Sequence, residues 1–362
     1  MKLIAIGDIH ASGFTDDAMI QDYPKRLFYI KQSLEYIINY GKNHDIKTFV
    51  IVGDIYNDKT IIYNEAQNML TDIFKSNEDC KFIMFSGNHD LSSTGTNQKS
   101  AIAVFQKFPN CETVLYDAVI KPEINGMIVP YCHNFLEQVR NCKVNKELGL
   151  NCEAPKILYA HVGLNEAVLQ SGLSRVDKLK ISDISQFPLA ILGHYHKPQD
   201  LQGSNTRVYY VGSLIPKDWN DKNEDKRFLI VDTDTLEVEA VPLNVDGVAR
   251  YYEFIIDNDT NNEERKTIFE KAQKLKEQGH HVRVVNKTKV KVTKEENIAD
   301  MVVLENTEVD VTDRGINITQ TKLEQCMKYL DIKGIENKDL YIKILKDKNL
   351  LDDGKDENAE RS

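Results

Sequence analysis

The 362 residues, 41% of them hydrophobic, suffice for one large domain with one or two small ones around an ordinary core. No apolar run reaches the roughly 18 residues of a membrane span, and the first residues lead into a strand pattern without a signal-peptide signature. A cytoplasmic protein is therefore expected. The formal net charge of −10 argues against a broad basic DNA-binding surface, though part of the excess is local to the acidic tail 351–362, read as disordered. Cys80, Cys111, Cys132, Cys142, Cys152 and Cys326 form no Cys-x-x-Cys pair and read as reduced thiols. The cluster Cys132, His133, Cys142 and Cys152 could hold a structural zinc, but its spacings match no common zinc module.

In chain order, Leu3-Ile4-Ala5-Ile6 reads as a strand that stops at Gly7-Asp8-Ile9-His10. After a polar loop, the apolar spacing of Leu27, Ile30, Leu34, Ile37 and Ile38 predicts a helix over 26–42. A β-branched run over 48–52 then delivers Gly53-Asp54, a helix over 65–75 turns Ala66, Met69, Leu70 and Ile73 inward, and a strand over 81–85 ends at Gly87-Asn88-His89-Asp90. Successive strand–helix–strand units place such residues beyond the carboxyl ends of the strands, where α/β folds bind ligands. A polar loop over 91–99 and a short helix over 102–108 follow. Strands are predicted over 113–120, 127–131 and 157–160, with a helix over 135–144, and the third of these strands ends at His161. A strand over 189–192 runs into Gly193-His194-Tyr195-His196. Strands over 207–211, 228–232 and 238–242 close the large domain, with a turn at Asp234-Thr235.

Five predicted strands thus end on Asp8, His10, Asp54, Asn88, His161, His194 and His196. Carboxylate, amide oxygen and imidazole without thiolate suit two divalent cations such as manganese, iron or zinc, with Asp54 the best bridging carboxylate. Two such ions make an arrangement that hydrolyses phosphate esters.

The ordered series Asp-x-His, Gly-Asp, Gly-Asn-His-Asp, His and Gly-His-x-His resembles the calcineurin-like metallophosphoesterases. The run 193–199 followed by Tyr209-Tyr210-Val211-Gly212-Ser213-Leu214 is similar to the SbcD branch, nuclease subunits of double-strand-break repair complexes. The resemblance covers about the first 245 residues well and the rest in outline. It implies an α/β fold, a four-layer α/β/β/α sandwich over 1–245, with a small α+β capping domain over 246–316 and a C-terminal helical segment over 317–350. It also implies that Asp8, His10, Asp54 and His196 hold one ion and Asp54, Asn88, His161 and His194 the other, manganese being the expected metal. His89 would contact the scissile phosphate and protonate the leaving oxygen, with Asp90 orienting its ring. Asn57 stands where many relatives carry histidine or aspartate; it can hydrogen-bond a phosphate but cannot donate a proton as imidazolium, which leaves the exonuclease and endonuclease balance open.

The implied partners are DNA, an SbcC-type SMC-like ATPase and a second copy of the chain, acting in DNA repair, recombination or replication. A free-standing phosphodiesterase for nucleotides or small phosphoesters is the alternative.

In the second unit, a strand over 251–256, a helix over 262–278 closed by Gly279 and a strand over 281–285 form a βαβ piece. The lysines of 287–294 fit a solvated edge strand or a DNA-backbone contact. Two short helices over 321–330 and 338–348 carry more apolar residues than a hairpin can bury, so they dock either on the ATPase or on the chain's own cap.

Overall fold

A computed structural model describes residues 1–92, 98–140, 154–168, 178–288 and 302–304. Two six-stranded mixed sheets form its centre. The first contains β1 (Lys2–Ile6), β4 (Thr48–Ile51), β5 (Lys81–Phe85) and β6 (Cys111–Val114) as parallel neighbours, with β13 (Arg227–Asp232) antiparallel beside β1 and β14 (Val238–Pro242) antiparallel beside β13 at the edge. The second runs β11-β12-β10-β9-β8-β7, where β8 (Gly126–Val129), β9 (Ile157–His161), β10 (Leu189–Gly193) and β12 (Arg207–Tyr210) are parallel. Its edges, β7 (Val119–Lys121) and β11 (Gln199–Gln202), are antiparallel. A two-stranded ribbon, β2 (Met19–Ile20) with β3 (Tyr23–Pro24), precedes the first helix.

The period-two alternation of the strands sets the layers. Leu3, Ala5, Val50, Val52, Ile83 and Phe85 share a buried cluster with Ile128, Tyr159, Leu189 and Ile191, so the two sheets face one another. The opposite face of the first sheet, through Ile4, Phe49, Ile51 and Met84, packs on α1 (Lys25–Asn43) and α2 (Asn64–Lys75). The outer face of the second packs on Phe135 and Val139, from a helical segment over 135–140, and on the 3₁₀ turn Ile181–Ile184. The helix α1 ends at His44, where Asp45 takes a left-handed φ of 56° and releases the chain toward β4. This is an α/β fold with mixed sheets built on parallel strands, as expected.

Two predicted elements differ. The single strand over 113–120 is two strands, β6 and β7, one in each sheet, with the chain crossing between them at 115–118. The helix over 102–108 is the 3₁₀ segment Ala101–Lys107. Phe108 is already extended, as the residue before Pro109 prefers, so the segment is too short to open into a regular α-helix.

The chain divides into two compact units, 1–254 with 267–283 and 255–266 with 284–362. The strands β15 (Tyr251–Ile256), β16 (His281–Asn286) and β17 (Val302–Leu304) form a three-stranded sheet, with β16 and β17 parallel. The helix α3 (Asn262–Glu277) lies between β15 and β16 in sequence, and Gly279 just beyond it has φ 88°. Cys142, Cys152, most of the lysine-rich stretch, the two C-terminal helices and the acidic tail lie outside the described residues. Cys80, Cys111 and Cys132 are free thiols. Among the described residues no helix is long and apolar enough to cross a membrane.

Candidate metal centre

The carboxyl ends of β1, β4 and β5 in one sheet and of β9 and β10 in the other meet at one rim, carrying Asp8, Asp54, Asn88, His161 and His194 with them. The loops beyond the strands are locked together by main chain. The Asp54 carbonyl accepts from the N–H groups of Ile9 and His10 at 3.1 and 2.9 Å, and the Asp8 carbonyl accepts from Leu214 N–H at 3.0 Å. Three donor residues stand at positive φ, His10 at 54°, Asp54 at 49° and His194 at 94°. Such backbone is costly for non-glycine residues and persists where the surroundings impose it, commonly at functional sites. Gly53 is needed on two counts: its φ is 92°, and a Cβ there would lie 2.4 Å from His161 Nδ1.

Asp54 is the hub. Its Oδ2 lies 3.3 Å from His161 Nε2 and 3.6 Å from His10 Nε2, while Oδ1 accepts from His89 N–H at 2.8 Å. Among the described residues, two groups of donor atoms lie mutually within 4.8 Å, His10 with Asp54 and His89, and Asp8 with Asp54 and His161. Asp54 belongs to both, although the partition differs from the one the resemblance implies, since Asp8 falls with His161 and His89 falls with His10. His196 joins through its Nε2, 2.8 Å from His10 Nε2. Asn88 Oδ1 is 3.1 Å from His161 Nε2 and 3.0 Å from His194 Nδ1, and Asp8 Oδ1 accepts from His194 N–H at 3.0 Å. All seven predicted donors are thus brought together.

Several groups fix the donors from behind. His161 Nδ1–H donates to the Val52 carbonyl at 2.8 Å, which leaves Nε2 facing the centre. The His196 carbonyl accepts from Ser213 N–H at 2.9 Å and from Lys226 Nζ at 3.1 Å, and Lys226 pairs with buried Asp221 at 2.7 Å. Two buried atoms, Asp8 Oδ2 and His10 Nδ1, have no hydrogen-bond partner. A buried carboxylate oxygen without a hydrogen-bond partner, set among imidazoles, has the chemistry of a cation ligand. The oxygen and nitrogen donors fit divalent metal.

The electrostatics agree with that fit. Burial, reinforced by the charge of Asp54, pushes Asp8 up to about 7. Burial would also raise Asp54, but His161, through charge and hydrogen bond, holds it far below the usual range. Burial depresses His161, and Asp54 more than reverses this, to about 9. Burial and then the Lys217 charge lower His196 to about 3, and the same two causes lower His10.

Asp90 does not orient the His89 ring as expected. Its Oδ1 accepts from the N–H groups of Ile55 and Tyr56 at 3.0 Å each and its Oδ2 from Gly87 N–H at 2.8 Å, so the carboxylate is consumed by backbone. His89 Nδ1 is held instead by the Asn57 carbonyl at 2.6 Å. The Asn57 side chain lies 3.4 Å from Asp58 Oδ2, so it is the main chain at 57 that serves His89. The sequence reading missed Val52, Lys217, Asp221 and Lys226. The only signal for the last three was their position just after the Gly212-Ser213-Leu214 run.

The family model for calcineurin-like phosphoesterases matches residues 1–198. The chain belongs to this family, whose members bind divalent metals and hydrolyse phosphoesters, and the rim described above is its candidate metal site. It is 24% identical over 253 residues to exonuclease subunit 1 of Enterobacteria phage T4, covering 67% of this chain and 68% of that one. A hypothetical protein of Pyrococcus horikoshii aligns in structure with a TM-score of 0.37 and 12% identity, over 68% of this chain and 89% of that chain.

Proposed function

We propose that the chain is a metal-dependent DNA nuclease of SbcD type, hydrolysing phosphodiester bonds at a centre for two cations, manganese being the expected metal. The observation that carries this reading is the place of Asp54 in two donor groups at once, since a shared carboxylate is what a two-cation site requires. The similarity to a phage exonuclease subunit supports DNA as the substrate. Asp8, His10, Asp54 and His196 would hold one cation and Asp54, Asn88, His161 and His194 the other. Bound there, the cations supply Lewis acidity toward phosphate oxygens and activate water for attack.

The chain's own residues do the rest. With Nδ1 fixed on the Asn57 carbonyl, His89 presents Nε2 to the substrate and carries a proton from that atom to the leaving oxygen. Asp90 ties the turn that aims His89 to the loop after Asp54, accepting from Gly87 N–H within the turn and from Ile55 and Tyr56 N–H on that loop. The stretch 246–316 is assigned as a cap, and 317–350 as the dock for an SMC-like ATPase, in an assembly with two copies of the chain in the cytoplasm.

The test is hydrolysis of a chromogenic phosphodiester and of linear duplex DNA, before and after chelation, with manganese restored and with the ATPase added. Loss on chelation and recovery with manganese on both substrates is expected. Full activity without metal overturns the two-cation reading. Hydrolysis of small phosphoesters alone, under every condition, replaces the nuclease reading with a free-standing phosphodiesterase.

A further inference from the structure

His89 Nδ1–H donates to the Asn57 carbonyl at 2.6 Å, so the aim of its ring depends on how the peptide between residues 57 and 58 is turned. The chain before that peptide is tied down. Ala11 N–H donates to the Ile55 carbonyl at 2.9 Å and Asn57 N–H to the Ala11 carbonyl at 3.0 Å, which extends the β1–β4 pairing beyond the strands. Among the described residues, the second of these is the last main-chain bond between the two loops. The Asn57 carbonyl lies one peptide further on, where the ladder no longer stops it from pivoting.

Side chains take over at that point. Ser12 Oγ–H donates to Asp58 Oδ2 at 2.7 Å, a charge-assisted bond across the two loops, and the same oxygen receives the Asn57 side-chain amide at 3.4 Å. Ser12 is only 6% exposed, so water competes poorly for its hydroxyl. Next to it, Gly13 packs so closely on the Tyr63 ring that a Cβ there would lie 2.3 Å from a ring carbon. Residues 12–13 are thereby clasped to the segment 58–63, and the 57–58 peptide is held from both ends. Asp58 belongs to neither donor group of the metal centre, so its carboxylate is not needed there.

We propose that Ser12 and Asp58 are positioning residues for proton transfer, their hydrogen bond locking the 57–58 peptide with its carbonyl on His89 Nδ1. This fixes the hydrogen of the neutral ring on Nδ1 and turns Nε2 to the substrate. As the bond from phosphorus to the leaving oxygen breaks, the proton on Nε2 passes to that oxygen and leaves the ring neutral, its remaining hydrogen still on Nδ1. The proposal rests on the reading of His89 as proton donor and adds the pair that keeps it aimed.

The test compares the full-length protein in manganese with Ser12→Ala, Asp58→Ala, Asp58→Asn, the Ser12→Ala/Asp58→Ala double variant and His89→Leu. The substrates are a dinucleotide and a p-nitrophenyl nucleotide diester, because the sugar alkoxide needs a proton to depart and the nitrophenolate does not. Ser12→Ala and Asp58→Ala are each expected to lower kcat on the dinucleotide about ten- to hundredfold, with a much smaller loss on the nitrophenyl diester and both metals retained. The double variant should lose no more than the worse single one, as partners in one interaction do, and Asp58→Asn, which keeps an acceptor for Ser12, should recover most of the rate. In the metal-free protein with isotopically labelled histidine nitrogens, NMR should find the neutral His89 ring with its hydrogen on Nδ1, and a mixture of tautomers in Ser12→Ala. Equal losses on the two substrates, additive losses, an unchanged His89 signal or loss of metal would each overturn the proposal. If His89→Leu itself loses equally on both substrates, His89 is not the proton donor and both readings fall; if His89→Leu alone shows the leaving-group dependence, only the clasp does.

Discussion

At Asp54, a backbone held at positive φ and a carboxylate shared by two donor groups coincide. Asp54→Asn should therefore lose activity together with bound metal. His89→Leu should lose roughly 10²–10⁴ in kcat while both metals stay, since that is the usual contribution of a proton donor. Metal analysis of the two purified variants separates the roles, and a metal-free His89 variant would make His89 a ligand. A pH dependence follows from the same residues. Without metal, Asp8, raised to about 7, and His161, raised to about 9, hold protons at pH 6 that a bound cation must displace. His196, lowered to about 3, is already neutral there. Manganese affinity should rise as pH passes through 7 and go on rising toward 9, with protons released on binding. Calorimetry in buffers of different ionisation enthalpy counts them, and a flat affinity between pH 6 and 8 would contradict it. The sign reverses for the stability of the metal-free protein. The elevated Asp8 favours the fold below its ordinary value of 3.8, and that contribution is lost as pH rises through 7.

Among the elements, the 213–226 connection after β12 offers a direct measurement. Lys226 is 3% exposed and Asp221 1%, and Glu224 lies 3.1 Å from the same ammonium. Lys226→Met leaves these carboxylates buried without their cation, a loss of about 3–5 kcal/mol. Adding Asp221→Asn removes one stranded charge while keeping an acceptor for Lys217 N–H, and should recover part of it; urea unfolding of the two variants reads the difference. This strut was invisible in the sequence because Lys226 and Asp221 sit in a polar connection, where charged residues ordinarily face solvent. The strands that end on donors were legible because each is a short apolar run halted at a glycine, a histidine or an acid. Leu189 to Leu192 before Gly193-His194 is the clearest case. The edge strand Gln199–Gln202 was not, since three of its four residues are polar and its pairing comes from β12 alone. Nor was the break between β6 and β7, where Tyr116-Asp117 interrupts an apolar pattern without glycine or proline. Asp90 was misread for a related reason: adjacency to His89 in sequence says nothing of which backbone amides the fold turns toward its carboxylate.

At the scale of the molecule, every metal donor lies before residue 197, whereas the apolar helices read over 321–348 lie far beyond. Removing residues from Thr319 onward should spare metal binding and hydrolysis of a small phosphodiester and, under the proposed partnership, abolish stimulation of duplex cleavage by an SMC-like ATPase. Equal loss on both substrates, or aggregation of the truncated protein, would assign those helices to the chain's own core. The order of the strands has another bearing, on synthesis. In the first sheet, β1 lies between β4 and β13, and Leu3 finds its register partner only when Val231 has been made. At roughly 5–20 residues per second the ribosome takes on the order of ten seconds or more to reach that point. Throughout that interval one edge of β1 is unpaired, on a strand whose residues 3–6 are all destined for burial. The nascent chain therefore carries an apolar unpaired edge until β13 is made, and its yield in a cell should depend on chaperones that bind emerging strands.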